Sequence, residues 1–241
     1  MSAQPWHHNE VQLTAVTDYH AREAARNYDA RMATIRDVAK ENVEILEILR
    51  RTLPNGLNPQ TRILEIGTGT GAFARSAAPF CGEVVALDVA QPMLDYAKSR
   101  SENFPNIRWE QAGFLSYDEA KTQTSTFDAT VSSLALHHLN DVWKAEAVAN
   151  LARLLKPGGV FVLVDVVFHC EGGELDRFVS RFVSDEFPDS MKQDLYGHIA
   201  KEDSTFDWIM RGILERAGFE IQESRMFNSI ATLYVCVNRK Q

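Results

Sequence analysis

A short apolar segment that runs directly into three closely spaced glycines constrains this chain more than any other feature. Residues 63–66 (ILEI) precede Gly67, Gly69 and Gly71, and a helical pattern begins at Ala72. Glycine lets the backbone turn sharply and approach a ligand because it has no Cβ. The N–H groups at the start of the following helix are available to a polar ligand group. The pattern therefore predicts a buried strand, a ligand-binding turn and a helix.

Short apolar segments alternate with helical segments along most of the chain after this turn. Further strands are predicted over residues 83–87, 107–111, 127–132 and 160–168, and helices over residues 72–80, 92–100 and 142–155. Strands that alternate with helices are typical of a parallel sheet covered by helices on both faces. Residues 219–226 and 230–237 are joined by only three residues, which predicts an antiparallel hairpin.

Two segments depart from this alternation. Residues 1–55 contain helical spacing without strand signals, and we expect an N-terminal helical cap ahead of a main domain over residues 56–241. Residues from about 169 to 204 are acidic and are interrupted by glycines and a proline, so we expect an inserted helical lid. The lid carries aromatic residues that either pack its core or line an apolar pocket: Phe178, Phe182, Phe187 and Tyr196.

The composition limits the classes of partner and compartment. The 33 acidic residues outnumber 25 basic ones, and the net charge of −8 argues against a protein whose main task is to bind nucleic acid phosphates. No apolar segment is long enough to span a membrane, and the N-terminus lacks the basic start and apolar stretch of a signal peptide. The three cysteines are typical of reduced thiols, so we expect a cytoplasmic protein.

Two short histidine motifs raise the question of a metal site. His7-His8 and His169-Cys170 have no further ligands at the spacing that a tetrahedral site needs. We therefore expect no bound metal.

Two acidic residues flank the glycine turn and bear on the kind of ligand that it binds. Glu65 comes two residues before the first glycine, where a carboxylate would repel a pyrophosphate but attract a cation. Asp88 ends the predicted second strand, where its oxygens can accept hydrogen bonds from ribose hydroxyls. These positions favour a cationic nucleoside ligand, and a nicotinamide-dependent oxidoreductase is the alternative.

The glycine turn and three other motifs together resemble the class I S-adenosylmethionine-dependent methyltransferases. The matching segments are 27–29 (NYD), 65–71 (EIGTGTG), Asp88 with 91–94 (QPML), and 154–159 (LLKPGG). Residues 135–139 (ALHHL) and 165–168 (DVVF) are similar to the small-molecule branch of the family. That branch contains menaquinone and ubiquinone C-methyltransferases and putative methyltransferases of Bacillus sulfur operons. The resemblance covers about residues 15 to 238.

The resemblance implies a Rossmann-like, doubly wound α/β fold. Its sheet would have seven strands in the order 3-2-1-4-5-7-6, with strand 7 antiparallel, the cap at the N-terminus and the lid after strand 5. It implies an enzyme that transfers a methyl group from S-adenosylmethionine to a small organic acceptor by direct in-line displacement, with S-adenosylhomocysteine as product. A protein that binds either compound without turnover is the alternative. A monomer or a homodimer is expected.

The same resemblance assigns a cofactor site around the carboxyl ends of strands 1, 2 and 4. The methionine part would lie against Gly67, Thr68 and Gly69, with Glu65 at its amine. The ribose hydroxyls would bind Asp88. The remaining contacts, from the cap, beside the adenosine and on the sulfonium side, are expected from Tyr28, Val89, Met93, Ser133 and Leu134.

One position departs from the family's pattern. After strand 3 the family usually has an acidic residue that contacts the adenine amino group, whereas this chain has Gly113 followed by Phe114. Backbone contacts at Gly113 and packing of Phe114 would then hold the adenine. The affinity for the cofactor is expected to be modest.

Two histidines, His137 and His138, follow the predicted fourth strand, where the resemblance brings the acceptor to the methyl group. An imidazole there can take a proton from the nucleophile because its pKa lies near neutral pH. Alternatively, one ring packs beneath the loop and the other contacts solvent, since methyl transfer needs little beyond alignment. Asp165 either faces the same pocket beside His137 or completes a buried hydrogen bond.

Overall fold

The computed structural model describes residues 22–117, 126–186, 189–228 and 230–239. The strands within these ranges are β1 (Arg62–Ile66), β2 (Glu83–Asp88), β3 (Ile107–Gln111), β4 (Phe127–Ser133), β5 (Leu155–Asp165), β6 (Val167–Phe168), β7 (Thr205–Phe206), β8 (Phe219–Met226) and β9 (Thr232–Asn238). Seven of them form one sheet in the order β3-β2-β1-β4-β5-β9-β8. The first five strands pair in parallel, and β9 is antiparallel to both β5 and β8. The predicted fold class, strand order and C-terminal hairpin are confirmed.

The helices lie before, between and after the strands. They are α1 (Arg22–Met32), α2 (Val38–Thr52), α3 (Ala72–Ala77), α4 (Gln91–Ser99), α5 (Asp141–Leu154), α6 (Leu175–Glu186), α7 (Asp189–Lys201) and α8 (Asp207–Arg216). Short 3₁₀ turns cover residues 78–80 and 136–138. No helix in the described ranges is long and apolar enough to cross a membrane. Residues 1–21 of the predicted cap and Phe187 of the predicted lid lie outside the described residues.

Both faces of the sheet are buried, as expected for parallel strands. Successive residues of β1 point to opposite faces, so that Leu64 joins one apolar cluster and Ile63 the other. The cluster around Leu64 is closed by α5 and α8, and the cluster around Ile63 by α2 and α3. The sheet therefore holds the glycine turn on a rigid base.

The fifth strand has different bounds from those predicted. It starts at Leu155 and ends at Asp165, and residues 167–168 belong instead to a small two-stranded sheet with β7. The Asp165 carboxylate accepts hydrogen bonds from the N–H groups of Val166 and His137, which directs the chain out of the main sheet. Helices α6 and α7 lie between β6 and β7 and occupy the segment expected to be a lid.

Candidate active site

The glycine turn joins β1 to α3 in left-handed backbone conformations. Gly67 has φ +76° and Gly69 has φ +55°, which glycine adopts without steric cost. A Cβ on Gly67 would lie 2.4 Å from Cβ of Ala135, so a residue with a side chain at this position would clash with the loop after β4. A Cβ on Gly69 would instead face Met93 and Tyr28 at 3.5 and 3.9 Å. Only the second of these glycines leaves space toward a ligand.

A cavity opens at the carboxyl ends of β1, β2 and β4, where the strand order reverses and open α/β sheets bind their ligands. The predicted cofactor residues that line it are Tyr28, Gly67, Gly69, Asp88, Val89, Met93, Gly113, Phe114, Ser133 and Leu134. His138 lines it as well. Most of the residues predicted from the sequence are thus brought together around one cavity.

Glu65 and Thr68 lie behind this wall and not on it. The Thr68 hydroxyl donates a 2.7 Å hydrogen bond to Oε2 of Glu65, and both residues are buried. Burial, with a further contribution from the charge of Asp88, raises the pKa of Glu65 to about 8. The carboxyl group is therefore protonated at neutral pH unless a cation approaches it.

Asp88 is held in a fixed orientation at the cavity wall. Its Oδ2 accepts a 2.8 Å hydrogen bond from the N–H of Gly69, and its Oδ1 accepts a 2.9 Å bond from the N–H of Ala90. The carboxylate therefore links the glycine turn to the start of α4. This geometry suits a group that must meet two adjacent hydroxyls.

Helix α1 covers the cavity and is attached to the glycine turn by a contact that sequence reasoning did not find. The buried Thr70 hydroxyl donates a 2.6 Å hydrogen bond to Oδ1 of Asp29, and Arg100 pairs with Oδ2. Asp29 follows Tyr28, which lines the cavity. The motif at residues 27–29 contained the signal, but the partner on the turn could not be identified without the fold.

Replacing Thr70 with valine tests this attachment. The change removes one hydrogen bond and keeps the side chain's shape and the Asp29–Arg100 pair. A hydrogen bond to a carboxylate contributes about 1.5–3 kcal/mol, and the part of it that holds α1 over the cavity supports ligand binding. The Kd for the cofactor expected from the sequence, S-adenosylmethionine, should therefore rise by about two- to tenfold in calorimetry. Thr52→Val, which lies outside the cavity, serves as the matched control. An unchanged Kd in Thr70→Val would show that the contact does not support the site.

A second cavity of about 250 Å³ adjoins the first, between α1 and the two helices after β6. Tyr28, Leu134 and His138 line both cavities. Phe178 and Phe182 stack on one another with their ring centroids 6.1 Å apart and contribute to the apolar wall. The aromatic residues of this segment thus line a pocket, apart from Tyr196, which is exposed, and Phe187, which is not described.

His137 is buried and held by Asp165 at the junction of β4 and β5. Its ring Nδ1 lies 2.5 Å from Oδ1 of Asp165, and its backbone N–H donates a 3.0 Å hydrogen bond to Oδ2 of the same carboxylate. Burial lowers the pKa of this imidazole, but the charges of Asp165 and Glu202 outweigh that effect and raise it overall. Of the two sequence interpretations of Asp165, the buried hydrogen bond is confirmed, whereas the expectation that it faces the pocket is wrong, because it is fully buried behind His137 and lines neither cavity.

His138 lies at the boundary of the two cavities. Burial and the neighbouring His137 ring lower the pKa of His138 to about 4, so it is neutral at physiological pH. Glu202, at the end of α7, reaches both rings: its oxygens are 3.4 Å from Nε2 of His137 and 4.0 Å from Nδ1 of His138. One nitrogen of each histidine and one oxygen of Glu202 lie within 4.8 Å of one another, which is also a suitable spacing for binding a metal ion. Sequence reasoning missed Glu202 because it is distant in the chain.

Leu134 lines both cavities and has an unusual backbone conformation. Its φ of +53° makes it the one non-glycine residue with positive φ among the described residues. Its N–H donates a 2.8 Å hydrogen bond to the carbonyl of Val164, which fixes the turn after β4. Residues held in this conformation concentrate at functional sites.

Comparison with known proteins identifies the family. A family model described as a methyltransferase domain matches residues 63–159. Nodulation protein S of Sinorhizobium fredii is 31% identical over 157 residues, which are 64% of this chain and 68% of that protein. The chain belongs to the class I S-adenosylmethionine-dependent methyltransferases. The predicted family is confirmed.

Two further comparisons describe the likeness of this methyltransferase to others. An uncharacterised methyltransferase of Schizosaccharomyces pombe is 34% identical over 119 residues, which are 46% of this chain and 40% of that protein. The crystal structure of the N-methyltransferase NodS from Bradyrhizobium japonicum, in complex with S-adenosylhomocysteine, shares the fold with a TM-score of 0.56 at 20% identity. The match covers 80% of this chain and 85% of that one. The chain spans 40% to 50% of the length of several curated methyltransferases that it matches.

The chain departs from the family's pattern after β3, where the sequence has Gly113 in place of an acidic residue. The N–H of Gly113 donates a 2.9 Å hydrogen bond to the Ser116 hydroxyl, and position 113 has no side-chain acceptor. Phe114 is buried in the cavity wall. This part of the cavity therefore offers an apolar surface and no carboxylate from position 113.

Proposed function

We propose that this methyltransferase transfers a methyl group from S-adenosylmethionine to a small organic acceptor. The observation that carries the proposal is the meeting of two cavities at Tyr28, Leu134 and His138. The acceptor nucleophile attacks the methyl carbon, the bond between carbon and sulfur breaks, and its electron pair stays on sulfur as S-adenosylhomocysteine leaves. Holding the two reactants in line supplies most of the rate enhancement.

The cofactor contacts follow from the chemistry of each part of the first cavity. Gly67, Thr68 and Gly69 are proposed to hold the methionine part, with Glu65 balancing its positive charge from behind the turn. Asp88 binds the ribose hydroxyls. The residues proposed to contact the adenosine and the sulfonium are Tyr28, Val89, Met93, Gly113, Phe114, Ser133 and Leu134.

His138 is proposed to take the proton that an acceptor hydroxyl or amine releases. It lines both cavities and is unprotonated at neutral pH, so it can accept a proton, but its pKa of about 4 makes it a weaker base than the ordinary imidazole expected from the sequence. His137 acts through its neighbour, because Asp165 holds its ring beside that of His138 at a centroid distance of 4.3 Å.

Turnover decides between an enzyme and a protein that only binds the cofactor. The purified chain is incubated with S-adenosylmethionine and metabolite fractions, and S-adenosylhomocysteine is measured by mass spectrometry. Its accumulation in a fraction-dependent manner is expected. Binding of S-adenosylmethionine without product in any fraction would favour the non-catalytic alternative, and binding of NAD alone would favour an oxidoreductase.

His138→Ala is expected to lower kcat by about 10²- to 10⁴-fold at saturating cofactor, the usual range for loss of a general base. His137→Ala should have a smaller effect on kcat. His169→Ala removes an exposed imidazole outside both cavities and serves as the control. If neither His137→Ala nor His138→Ala lowers kcat, no imidazole takes the proton.

The acceptor is proposed to be a small molecule in the cytoplasm, without nucleic acid as a partner. The acidic net charge and the size of the second cavity support this proposal. The small number and wide spacing of the cysteines in the sequence support a reducing compartment. Sedimentation of the purified chain distinguishes a monomer from a homodimer.

A further inference from the structure

One end of the second cavity is polar, whereas its other walls are apolar. Oε1 of Glu202 is 2.8 Å from Nδ1 of His198, and the same carboxylate approaches His137 and His138. The side chain of Glu202 is only 7% exposed. The polar end of this cavity, which we call its head, therefore consists of one carboxylate surrounded by three imidazoles. The other walls are formed by aromatic and aliphatic side chains.

The charges around this head are largely balanced. Hydrogen bonding to His198 and the neighbouring imidazoles lower the pKa of Glu202 despite its burial, so it is a carboxylate at neutral pH. Asp165 lies on the far side of His137. Two cations lie in this region: Lys144, whose Nζ donates to Asp141 and to the carbonyl of Asp203, and Arg31, which is exposed and lines the cavity.

The charges of Glu202 and of the cofactor's sulfonium make the binding of a charged acceptor group unfavourable. An anionic head group would be repelled by the Glu202 carboxylate and would lose its solvation beside it. A cationic head group would be attracted by Glu202 but repelled by the positive sulfonium beyond His138, so the cost of desolvating it would not be offset. A neutral hydroxyl avoids both penalties and can donate a hydrogen bond to the carboxylate or to an imidazole nitrogen. A hydrogen bond to a charged partner contributes about 1.5–3 kcal/mol.

The size of the cavity limits the rest of the molecule. Its volume of about 250 Å³ is below the roughly 300–1,000 Å³ of sites for drug-sized ligands. The stacked rings of Phe178 and Phe182 offer a flat apolar wall on one side. A single ring with a short apolar tail fits these limits.

We propose that the acceptor is a compact, apolar molecule that presents a neutral hydroxyl group to Glu202 and His138. This inference rests on the proposed function and deepens it by naming the substrate class. Glu202 acts as a specificity-determining residue that accepts the hydrogen bond of the bound hydroxyl and orients it. The hydroxyl has a single proton, which turns from Glu202 to His138 and is taken up there as the oxygen attacks the methyl carbon. The electron pair of the broken bond between carbon and sulfur stays on sulfur.

A matched set of probes tests the head group while the body stays constant. The probes are 4-propylphenol, its methyl ether 4-propylanisole, 4-propylbenzoate and 4-propylbenzylamine, which is a cation at neutral pH. Each is titrated by calorimetry into the full chain saturated with a non-reactive S-adenosylmethionine analogue that carries an amine in place of the sulfonium. The phenol is expected to bind at least about tenfold more tightly than the other three, the equivalent of one hydrogen bond to a charged group.

The outcomes separate this inference from the proposed function. Failure of the chain to bind the analogue or S-adenosylhomocysteine would count against the proposed function. Binding of the analogue together with tighter binding of the benzoate, the amine or the methyl ether, or with no binding of any probe, would overturn the acceptor class alone. All titrations contain a chelator and are repeated with Zn²⁺. Tight Zn²⁺ binding that Glu202→Gln abolishes would assign the cluster to a metal and overturn the inference.

Glu202→Gln identifies the carboxylate as the group that selects the probe. The variant is expected to lose about tenfold in affinity for the phenol and to gain affinity for the benzoate, because the repelling charge is gone. Glu171→Gln removes an exposed carboxylate near the start of the same insertion and serves as the control. Unchanged selectivity in folded Glu202→Gln would overturn the role of this residue, and the wild-type probe series remains decisive if the variant does not fold.

Discussion

Asp88→Ala is expected to raise the Kd for S-adenosylmethionine by roughly ten- to 150-fold. The change removes the charged carboxylate to which the ribose hydroxyls are proposed to donate, and such hydrogen bonds contribute about 1.5–3 kcal/mol. It also removes the acceptor for the N–H groups of Gly69 and Ala90, so the glycine turn loses its link to α4. Calorimetry with S-adenosylmethionine and with S-adenosylhomocysteine should show losses of similar size, because both ligands carry the same ribose.

Two variants make this measurement specific. Asp88→Asn keeps one side-chain oxygen and should therefore have an intermediate Kd. Asp95→Ala removes an exposed carboxylate from the neighbouring helix α4 and should leave the Kd unchanged. A wild-type Kd in Asp88→Ala would refute the ribose assignment.

Ligand binding is expected to draw a proton from Glu65. Burial raises the pKa of Glu65 to about 8, so the group is mostly protonated at neutral pH before the ligand binds. A positively charged ligand favours the ionised form and lowers this pKa. The affinity for S-adenosylmethionine should therefore increase as the pH rises toward about 8. Calorimetry at pH 7 in buffers of different ionisation enthalpy should detect proton release.

The same group makes the stability of the unliganded protein depend on pH. Because its pKa is higher in the folded than in the unfolded chain, the folded state binds more protons between about pH 4.5 and pH 8. The contribution of Glu65 to the free energy of unfolding therefore falls as the pH rises through this range. Thermal unfolding from about pH 5 to pH 9 measures the change.

Glu65→Gln provides the control for both effects. The variant cannot ionise at this position, so its affinity and its stability should lose the part of the pH dependence that Glu65 causes. Its affinity at pH 8 should be lower than that of the wild type, because the balancing charge is absent. If the wild type and Glu65→Gln release the same number of protons, the carboxyl group does not respond to the ligand.

Local sequence patterns predicted the fold and the outline of the first cavity. The glycine turn at 67–71 and the acidic residue at the end of β2 depend on backbone conformations that neighbouring residues dictate, and the alternation of strands and helices dictates the parallel sheet. Residues near the carboxyl ends of β1, β2 and β4 then meet because parallel strands end at one edge of the sheet.

The missed features depend on contacts between distant parts of the chain. Asp29 reaches Thr70 only because α1 packs over the glycine turn, and Glu202 reaches His137 only because α7 ends beside the loop after β4. Neither pairing has a fixed spacing in the sequence. The early end of β5 had a similar cause, since it follows from the hydrogen bonds of the Asp165 side chain.

The left-handed backbone of Leu134 has a consequence for engineering the stability of this protein. Glycine would relax this turn, whose strain costs on the order of 1–3 kcal/mol in a residue with a Cβ. The chain instead keeps a branched hydrocarbon at a position that lines both cavities. Leu134→Gly would therefore relieve the backbone strain and at the same time remove a side chain from the boundary that the two proposed ligands share.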